Sequence, residues 1–133
     1  MMLKKFFILI IVNCFAIFPS ISMEKETTFN KKLFDKAQSE GKVVIVSSWI
    51  KYCSSCASQM KVLNKAKNEG KLLDIEFKNI EYFTFDVRNK EIANLLGVKY
   101  QTTLLIFKKN KEVYRSLGET TKDLIYEALK KSI

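Results

Sequence analysis

Cys53 and Cys56 are separated by two serines and follow a β-branched stretch, VIVSSWIKY, that starts at Val44. A cysteine pair at this spacing can exchange with disulfides, supply half of a metal site or form a short structural disulfide. The stretch before the pair predicts a buried strand, which puts the pair at the start of the next helix. Unpaired backbone N–H groups and a positive helix dipole favour the Cys53 thiolate there, and Cys56, one turn later, can resolve a mixed disulfide.

The three uses of the pair differ in what else they require. A structural zinc site needs four ligands, whereas the chain contains no histidine and only one further cysteine, Cys14. A structural disulfide at this spacing closes so short a loop that it removes little entropy from the unfolded chain. Redox exchange is therefore the favoured prediction. The alternatives are a metal site completed by a second molecule or by carboxylates, and an inert disulfide. Lys51 adds only weak positive potential, because a solvated lysine is well screened.

The first 22 residues have the features of a secretory signal peptide. A basic start, MMLKK, precedes an apolar run at residues 6–18, which Pro19 ends. As a helix these thirteen residues would cover about 20 Å, less than the roughly 30 Å of a bilayer's hydrocarbon core. Ser20 and Ser22 are small residues at the two positions that signal peptidase recognises, which predicts cleavage after Ser22. The alternative is an uncleaved membrane anchor.

Cleavage would leave Cys53 and Cys56 as the cysteines of the mature chain and would place them in an oxidising compartment. The net charge would fall from +9 to +7, because the signal peptide holds Lys4 and Lys5 and no acidic residue. The remaining lysines are spread along the sequence, which predicts a solvated surface and no nucleic-acid partner. The lack of histidine also excludes a Cys-His nucleophilic pair.

Residues 23–29 are predicted to form a flexible polar lead-in, and residues 30–133 a single domain. Helix and strand patterns alternate within this domain. The first half is predicted to contain a helix capped by Asn30 and followed by Gly41, a strand at 43–48, and a helix from Cys53 to about Asn68 closed by Gly70. The second half is predicted to contain a strand at 80–87 and a helix capped by Asn89 and ended by Gly97. A hairpin of strands at 102–107 and 112–116 follows, and then a last helix with a capping box of Thr120 and Asp123. This order predicts an α/β fold with a central mixed β-sheet flanked by helices on both faces.

Two segments of the chain resemble thioredoxin. Val43 to Cys56 corresponds to its strand, tryptophan and Cys-x-x-Cys helix, and GVKYQTTLLIF, from Gly97 to Phe107, is similar to its segment Gly-Ile-Arg-x-Ile-Pro-Thr-Leu-Leu-Leu-Phe. The similarity covers nearly all of residues 30–133 and keeps the same order of elements. It implies the thioredoxin fold, with Cys53 as the nucleophile and Cys56 as the resolving cysteine. The substrate groove would be formed by Trp49, Tyr52, Gln101, Thr102 and Gly118.

The sequence departs from the thioredoxin pattern at three places near the cysteines. Thr102 stands where the family has a cis-proline, and a trans loop is expected because a non-proline cis bond costs about 2.5 to 4 kcal/mol. Ser47 replaces a buried aspartate that helps to deprotonate the resolving thiol, and Tyr82 falls where the family has the accompanying lysine. A serine can relay a proton but cannot act as a base, so resolution is expected to use water. Ser54 and Ser55 replace Gly-Pro and tune the stability of the nucleophile's thiolate, and hence the potential.

These observations predict an exported thiol-disulfide oxidoreductase, in the bacterial periplasm or cell envelope, that reduces or exchanges protein disulfides. No metal or other cofactor is expected, since the Cys53–Cys56 couple is itself the redox group. The expected partners are envelope proteins with thiols or disulfides, and a membrane protein that donates or accepts electrons. The strongest periplasmic oxidants carry a histidine between their cysteines, which favours the reducing direction for this chain.

Two other functions fit the same residues. A disulfide-forming oxidase would run the same exchange backwards. A non-catalytic module of the same fold would bind a partner or a metal, with Ser47 and Thr102 as signs of lost catalysis. The chain also lacks, between Gly70 and the strand at 80–87, the central insertion of cytochrome-c-maturation relatives, which disfavours a role in reducing apocytochromes.

Overall fold

The computed structural model describes residues 25–73, 77 and 79–133, without the side chains of residues 71–73. The predicted signal peptide lies outside these residues. The elements are α1 (Lys31–Ser39), β1 (Val43–Trp49), α2 (Ser54–Leu73), β2 (Ile80–Asp86), α3 (Lys90–Leu96), β3 (Thr103–Lys108), β4 (Lys111–Leu117) and α4 (Lys122–Ser132). Their order is the predicted one. In the described part of the chain, none of the helices has the length and apolar character that crossing a membrane requires.

The four strands form one mixed sheet in the order β2-β1-β3-β4. β1 pairs in parallel with β2 and antiparallel with β3, and β3 and β4 form a hairpin. Lys109 and Asn110 make the hairpin turn with φ values of 50° and 63°, as a two-residue type I′ turn requires. The prediction of an α/β fold with a central mixed sheet is confirmed.

Helices cover both faces of the sheet, so all seven residues of β1 are buried. Successive side chains of a strand point to opposite faces, and β1 therefore joins two apolar clusters. The cluster on the side of α1 and α3 includes Val44, Val46, Phe34, Ala37 and Ala93, and the cluster on the side of α2 and α4 includes Val43, Ile45, Leu63, Ala66, Ile125 and Leu129. Because β1 is a buried central strand, the residues that follow it, including both cysteines, lie at its carboxyl end.

Local capping sets the ends of α1 and α3 as predicted. The side-chain oxygen of Asn30 accepts a hydrogen bond from the backbone N–H of Leu33, at 3.1 Å, and Asn89 accepts one from Ile92, at 3.2 Å. Gly97 ends α3 in the left-handed conformation, with φ of 63°.

The prediction that Gly70 closes α2 was wrong, because the helix continues to Leu73. Gly70 is buried, and a Cβ atom built on it would lie 2.4 Å from the backbone carbon of Phe77. The glycine therefore allows the returning chain to pass against the helix, and it does not end the helix.

The predicted capping box of Thr120 and Asp123 was also wrong. The N-cap residue of α4 is Thr121, and its side chain makes no capping hydrogen bond. The carboxylate of Glu119 instead accepts the Thr121 N–H, at 2.7 Å. Hydrogen bonds to Thr102 and Gln59 hold Gly118 and Glu119, the residues that lead into α4. The helix begins after this fixed segment.

Residues 23–29 were predicted to form a flexible lead-in, and residues 25–29 of this segment lie along the outer edge of β2. The N–H groups of Thr28 and Phe29 donate to Thr84 O, at 2.8 and 3.0 Å. Thr28 Oγ1 accepts the Thr84 N–H, and Thr27 Oγ1 accepts the Asp86 N–H. These bonds satisfy backbone groups of an edge strand that would otherwise be open to pairing with another chain.

We expect Gly70→Ala to destabilise the protein although alanine favours helix formation by about 1 kcal/mol over glycine. The added methyl group meets the backbone of Phe77, and overpacking of this kind costs about 1 to 3 kcal/mol. Chemical denaturation should therefore give a lower free energy of unfolding for Gly70→Ala than for the wild type. Asn68→Ala is the matched control, because Asn68 is exposed on the same helix and should tolerate alanine. Equal stability of Gly70→Ala and the wild type would contradict the close approach of Phe77.

Candidate active site

Cys53 and Cys56 form a disulfide across the first turn of α2, with their Cα atoms 5.3 Å apart. Cys53 directly precedes the helix, and its carbonyl accepts the Ala57 N–H at 3.2 Å. The Sγ atom of Cys53 accepts the backbone N–H of Cys56, also at 3.2 Å. One N–H group that a helix start leaves without a partner is thus directed at this sulfur, and in the reduced protein it would stabilise the Cys53 thiolate.

The two cysteines differ in exposure. Cys56 is fully buried and packs in a small cluster with Trp49 and Met60, whereas Cys53 is half-buried at the rim of that cluster. A sulfur in a substrate can therefore reach Cys53 but not Cys56. The roles of nucleophile for Cys53 and resolving cysteine for Cys56 stay predictions, and they require an asymmetry of this kind.

The hydroxyl of Thr102 lies beside both sulfurs. Its Oγ1 atom is 3.2 Å from Cys56 Sγ, 3.6 Å from Cys53 Sγ and 3.0 Å from Ser55 Oγ. The Ser55 hydroxyl in turn lies 3.4 Å from Cys53 Sγ. Because sulfurs in a disulfide carry no hydrogen, a hydrogen bond to either sulfur must be donated by a hydroxyl, and each hydroxyl has one hydrogen to donate.

The backbone of Thr102 is held from three sides. Its N–H donates to Ser48 O at 2.9 Å, and its carbonyl accepts from the Gly118 N–H at 2.9 Å and from Gln59 Nε2 at 3.3 Å. Thr102 has a φ of 59°, which is strained for a β-branched residue and persists only where the surroundings enforce it. The peptide bonds of this loop are trans, as predicted.

Gln59 is a residue of the site that the sequence analysis missed. It is fully buried on α2, and its Nε2 atom also donates to Glu119 O at 2.8 Å. Its Oε1 atom has no hydrogen-bond partner among the residues that the structure describes. The sequence did offer one sign of its burial: Gln59 lies one turn after Cys56 and directly before Met60, which was predicted to face inward. Gln59 joins α2 to the two loops that pass beside the cysteines.

Ser47 and Tyr82 form a buried hydrogen bond of 2.6 Å between neighbouring strands. Burial raises the pKa of the Tyr82 hydroxyl well above its usual range, against the smaller opposing effect of the bond to Ser47. The pair therefore carries no charge at neutral pH. By the resemblance to thioredoxin, Ser47 stands in place of an aspartate and Tyr82 in place of a lysine. A neutral pair therefore lies where the resemblance implies a carboxylate and an ammonium group.

The remaining predicted groove residues lie at different depths. Trp49 is buried, and its indole N–H donates to Glu26 O at 3.2 Å. Tyr52 is 91% exposed, with the ammonium group of Lys51 at 5.1 Å from its ring centroid. Gln101 is exposed beside Thr102. Gly118 has a φ of 79° and contacts the loop through its N–H, and Ser54 is exposed in the first turn of α2.

Lys25 is a second residue near the site that the sequence analysis missed, and it carried no sequence signal. Its ammonium group donates to the carbonyls of Ile50 and Cys53, at 3.2 and 2.9 Å. The segment before α1 thus places a positive charge next to the nucleophile's backbone.

Among the described residues, no three histidine, cysteine or carboxylate side chains gather as a metal-binding group would. The atoms that surround the sulfurs are hydroxyls, a backbone N–H and apolar carbons. This arrangement can hold a thiolate at Cys53, a protected thiol at Cys56 and a disulfide between them.

We expect Gln59→Glu to lower the free energy of unfolding by about 3 kcal/mol or more near neutral pH. The new carboxylate would face the carbonyls of Thr102 and Glu119 without a donor. Burial would raise the pKa of this carboxyl above its unfolded value, so the folded state would bind more protons and the deficit would grow with rising pH. Urea unfolding at a series of pH values measures this dependence.

Gln101→Glu is the control for this change, because it makes the same chemical substitution on an exposed side chain. It should alter the free energy of unfolding by no more than about 0.5 kcal/mol. If the two variants were equally stable at every pH, Gln59 would not hold the loops as described.

Comparison with known proteins identifies the family and the fold. A family model described as Thioredoxin matches residues 20–131. Among solved structures, Trxlp from Edwardsiella tarda is 24% identical, with a TM-score of 0.65 over 76% of this chain and 94% of that chain. Fasciola hepatica thioredoxin is 22% identical, with a TM-score of 0.59 over 77% and 90% of the two chains, and the thioredoxin NaTrxh from Nicotiana alata is 22% identical, with a TM-score of 0.64 over 77% and 83%. These likenesses show the fold, and the family match shows that the chain belongs to the thioredoxin family and is a thiol-disulfide oxidoreductase with a Cys53–Cys56 disulfide.

Proposed function

We propose that the protein is exported to the bacterial cell envelope and there reduces or exchanges disulfides of other proteins. The observation that carries the proposed exchange is the difference between the cysteines: Cys53 is accessible and accepts a helix N–H, whereas Cys56 is buried beside it. The proposed export rests on the signal-like sequence of the first 22 residues. Cys53 attacks a substrate disulfide, and Cys56 resolves the mixed disulfide. The couple needs no metal or other cofactor for this exchange.

The reducing direction is supported by the groups around the nucleophile. A thiol-disulfide couple becomes more oxidising as the nucleophile's thiolate is stabilised, and an imidazolium between the cysteines stabilises it strongly. Here the side chains at that place are neutral hydroxyls, and Ser55 Oγ is 3.4 Å from Cys53 Sγ. A neutral hydroxyl stabilises a thiolate less than a cation does, which favours a low potential.

The surface around the cysteines suits protein substrates. Tyr52, next to the nucleophile, is almost fully exposed and offers an apolar ring with a polar end to an incoming chain. A reductase in an oxidising compartment must regain electrons, so we propose a membrane protein as the electron donor. Elsewhere many lysines pair with acids, as Lys31 with Asp35 and Lys131 with Glu127, which supports a solvated surface and no nucleic-acid partner.

We expect Cys53→Ser to abolish disulfide exchange and Cys56→Ser to accumulate a mixed disulfide between Cys53 and its substrate. In this experiment the full chain is expressed in bacteria, and acid followed by an alkylating agent blocks the thiols so that disulfides do not rearrange. The cell fractions are then compared on non-reducing gels. The complexes should appear in the envelope fraction, and mass spectrometry of the chain in them should give Met23 as its first residue.

Cys14→Ser is the matched control and should leave exchange unchanged, since the predicted cleavage removes that cysteine. Complexes confined to the cytoplasm would contradict export. If neither Cys53→Ser nor Cys56→Ser altered exchange, the cysteines would be inert and a binding module would be the better interpretation.

We expect the potential of the Cys53/Cys56 couple to lie closer to about −270 mV, as in reducing thioredoxins, than to about −120 mV, as in the strongest periplasmic oxidant. Thiol labelling across a graded redox buffer measures it. Ser55→His should raise the potential by about 30 mV or more, because it adds a cation between the cysteines. Ser58→His, on the exposed face of α2, is the control. A wild-type value near the oxidant's would reverse the proposed direction.

A further inference from the structure

The resolving cysteine has to lose a proton before it can attack, and its surroundings make that loss difficult. Cys56 is fully buried, so water does not reach its sulfur directly. The buried polar pair nearby, Ser47 and Tyr82, is neutral and hydrogen-bonded to itself. Among the described residues, the polar side chain within hydrogen-bond distance of Cys56 Sγ is that of Thr102.

A continuous line of hydroxyls leads from this sulfur to the surface. Thr102 Oγ1 lies 3.2 Å from Cys56 Sγ and 3.0 Å from Ser55 Oγ. Thr102 is 3% exposed, whereas Ser55 is exposed to solvent. We propose that Thr102 and Ser55 form a proton relay that carries the proton of the Cys56 thiol to solvent while the mixed disulfide is resolved.

The step balances in protons and electrons. In the mixed disulfide, Cys53 Sγ is bonded to a substrate sulfur and Cys56 carries a thiol. Thr102 Oγ1 accepts the thiol proton and passes its own to Ser55 Oγ, which passes its own to water. The Cys56 thiolate attacks Cys53 Sγ, the bond to the substrate breaks, and its electron pair leaves with the substrate sulfur, which is protonated from solvent. The dithiol is oxidised and the substrate disulfide is reduced.

The backbone of Thr102 supports a role for its hydroxyl. Three hydrogen bonds, from Gly118 and Gln59 and to Ser48, hold this residue in a conformation that is strained for a threonine. Strain that surrounding bonds enforce tends to occur at functional positions. Here it keeps Oγ1 between the buried sulfur and Ser55. Each hydroxyl can both donate and accept, so the relay operates in either direction of exchange and in any compartment.

Charged groups also lie near the relay and must be considered in its pH dependence. Lys25, in the segment before α1, contacts the carbonyl of Cys53. Lys51 lies over the ring of Tyr52. The carboxylate of Glu119 is turned to the Thr121 N–H. These three charged groups contact atoms other than the sulfurs. The hydroxyls therefore remain the route for the proton.

The two chemical steps can be separated with an aromatic disulfide whose released thiolate absorbs visible light. When the reduced protein is mixed rapidly with this reagent, the first release reports attack by Cys53, and the second reports resolution by Cys56. We expect Thr102→Val to slow the second release by at least about tenfold near neutral pH, and by a much larger factor than the first release. The slowing should shrink toward about pH 9, where hydroxide is abundant enough to remove the thiol proton during brief openings of the packing around Cys56. Thr102→Ser should restore the second release.

Ser55→Ala should also slow the second release, and it tests the relay independently because Ser55 is exposed and its loss should not affect folding. Ser58→Ala is the matched control on the same helix and should behave as the wild type. The relay is refuted if Ser55→Ala and Thr102→Val leave the second release unchanged. It is equally refuted if Thr102→Val slows both releases alike, or slows the second by the same factor at every pH, because either result indicates a structural role.

Discussion

The geometry of the site depends on the hydrogen bonds that hold the backbone of Thr102. Its N–H bonds to Ser48 at the end of the central strand, and its carbonyl receives donors from Gln59 on α2 and from Gly118 after β4. Three separate parts of the fold thus meet at the backbone of one residue. Without these bonds a β-branched residue would leave the left-handed region, and its hydroxyl would leave the sulfurs. The fold therefore fixes the chemistry through the main chain of a loop as much as through the helix that carries the cysteines.

The start of α2 provides the second requirement, which is two unlike sulfurs only one turn apart. The N–H that favours a thiolate at Cys53 exists because the helix begins there, and the burial of Cys56 follows because the next turn faces the sheet. A longer spacing would move the second sulfur out of reach of the first, and a solvent-facing turn would expose it. The resolving thiol is protected from side reactions by the same packing that keeps water from it, which explains why its deprotonation needs help from neighbouring side chains.

Features that local patterns determine were predictable from the sequence, and features that depend on contacts between distant segments were not. The strand before the cysteines, the caps at Asn30 and Asn89 and the order of the elements follow from burial periodicity and short-range hydrogen bonds. Gly70 was misjudged because the same residue type serves a helix end and a close chain crossing, and only the fold decides between them. Gln59 and Lys25 were missed because their partners lie on other segments, and a single polar residue carries no pattern.

The neutral pair of Ser47 and Tyr82 connects the stability of the protein with its mechanism. A buried carboxylate, such as the family's aspartate at this position, has a raised pKa, so the folded state binds an extra proton and stability falls as the pH rises through that pKa. A hydroxyl pair avoids this loss until the pH exceeds about 10, where unfolded tyrosine ionises while burial keeps the folded Tyr82 neutral. The site gains stability across the neutral range but gives up a base. Resolution must then use hydroxyls that shuttle protons without changing charge, and the contact between Thr102 and Cys56 supplies the first of them.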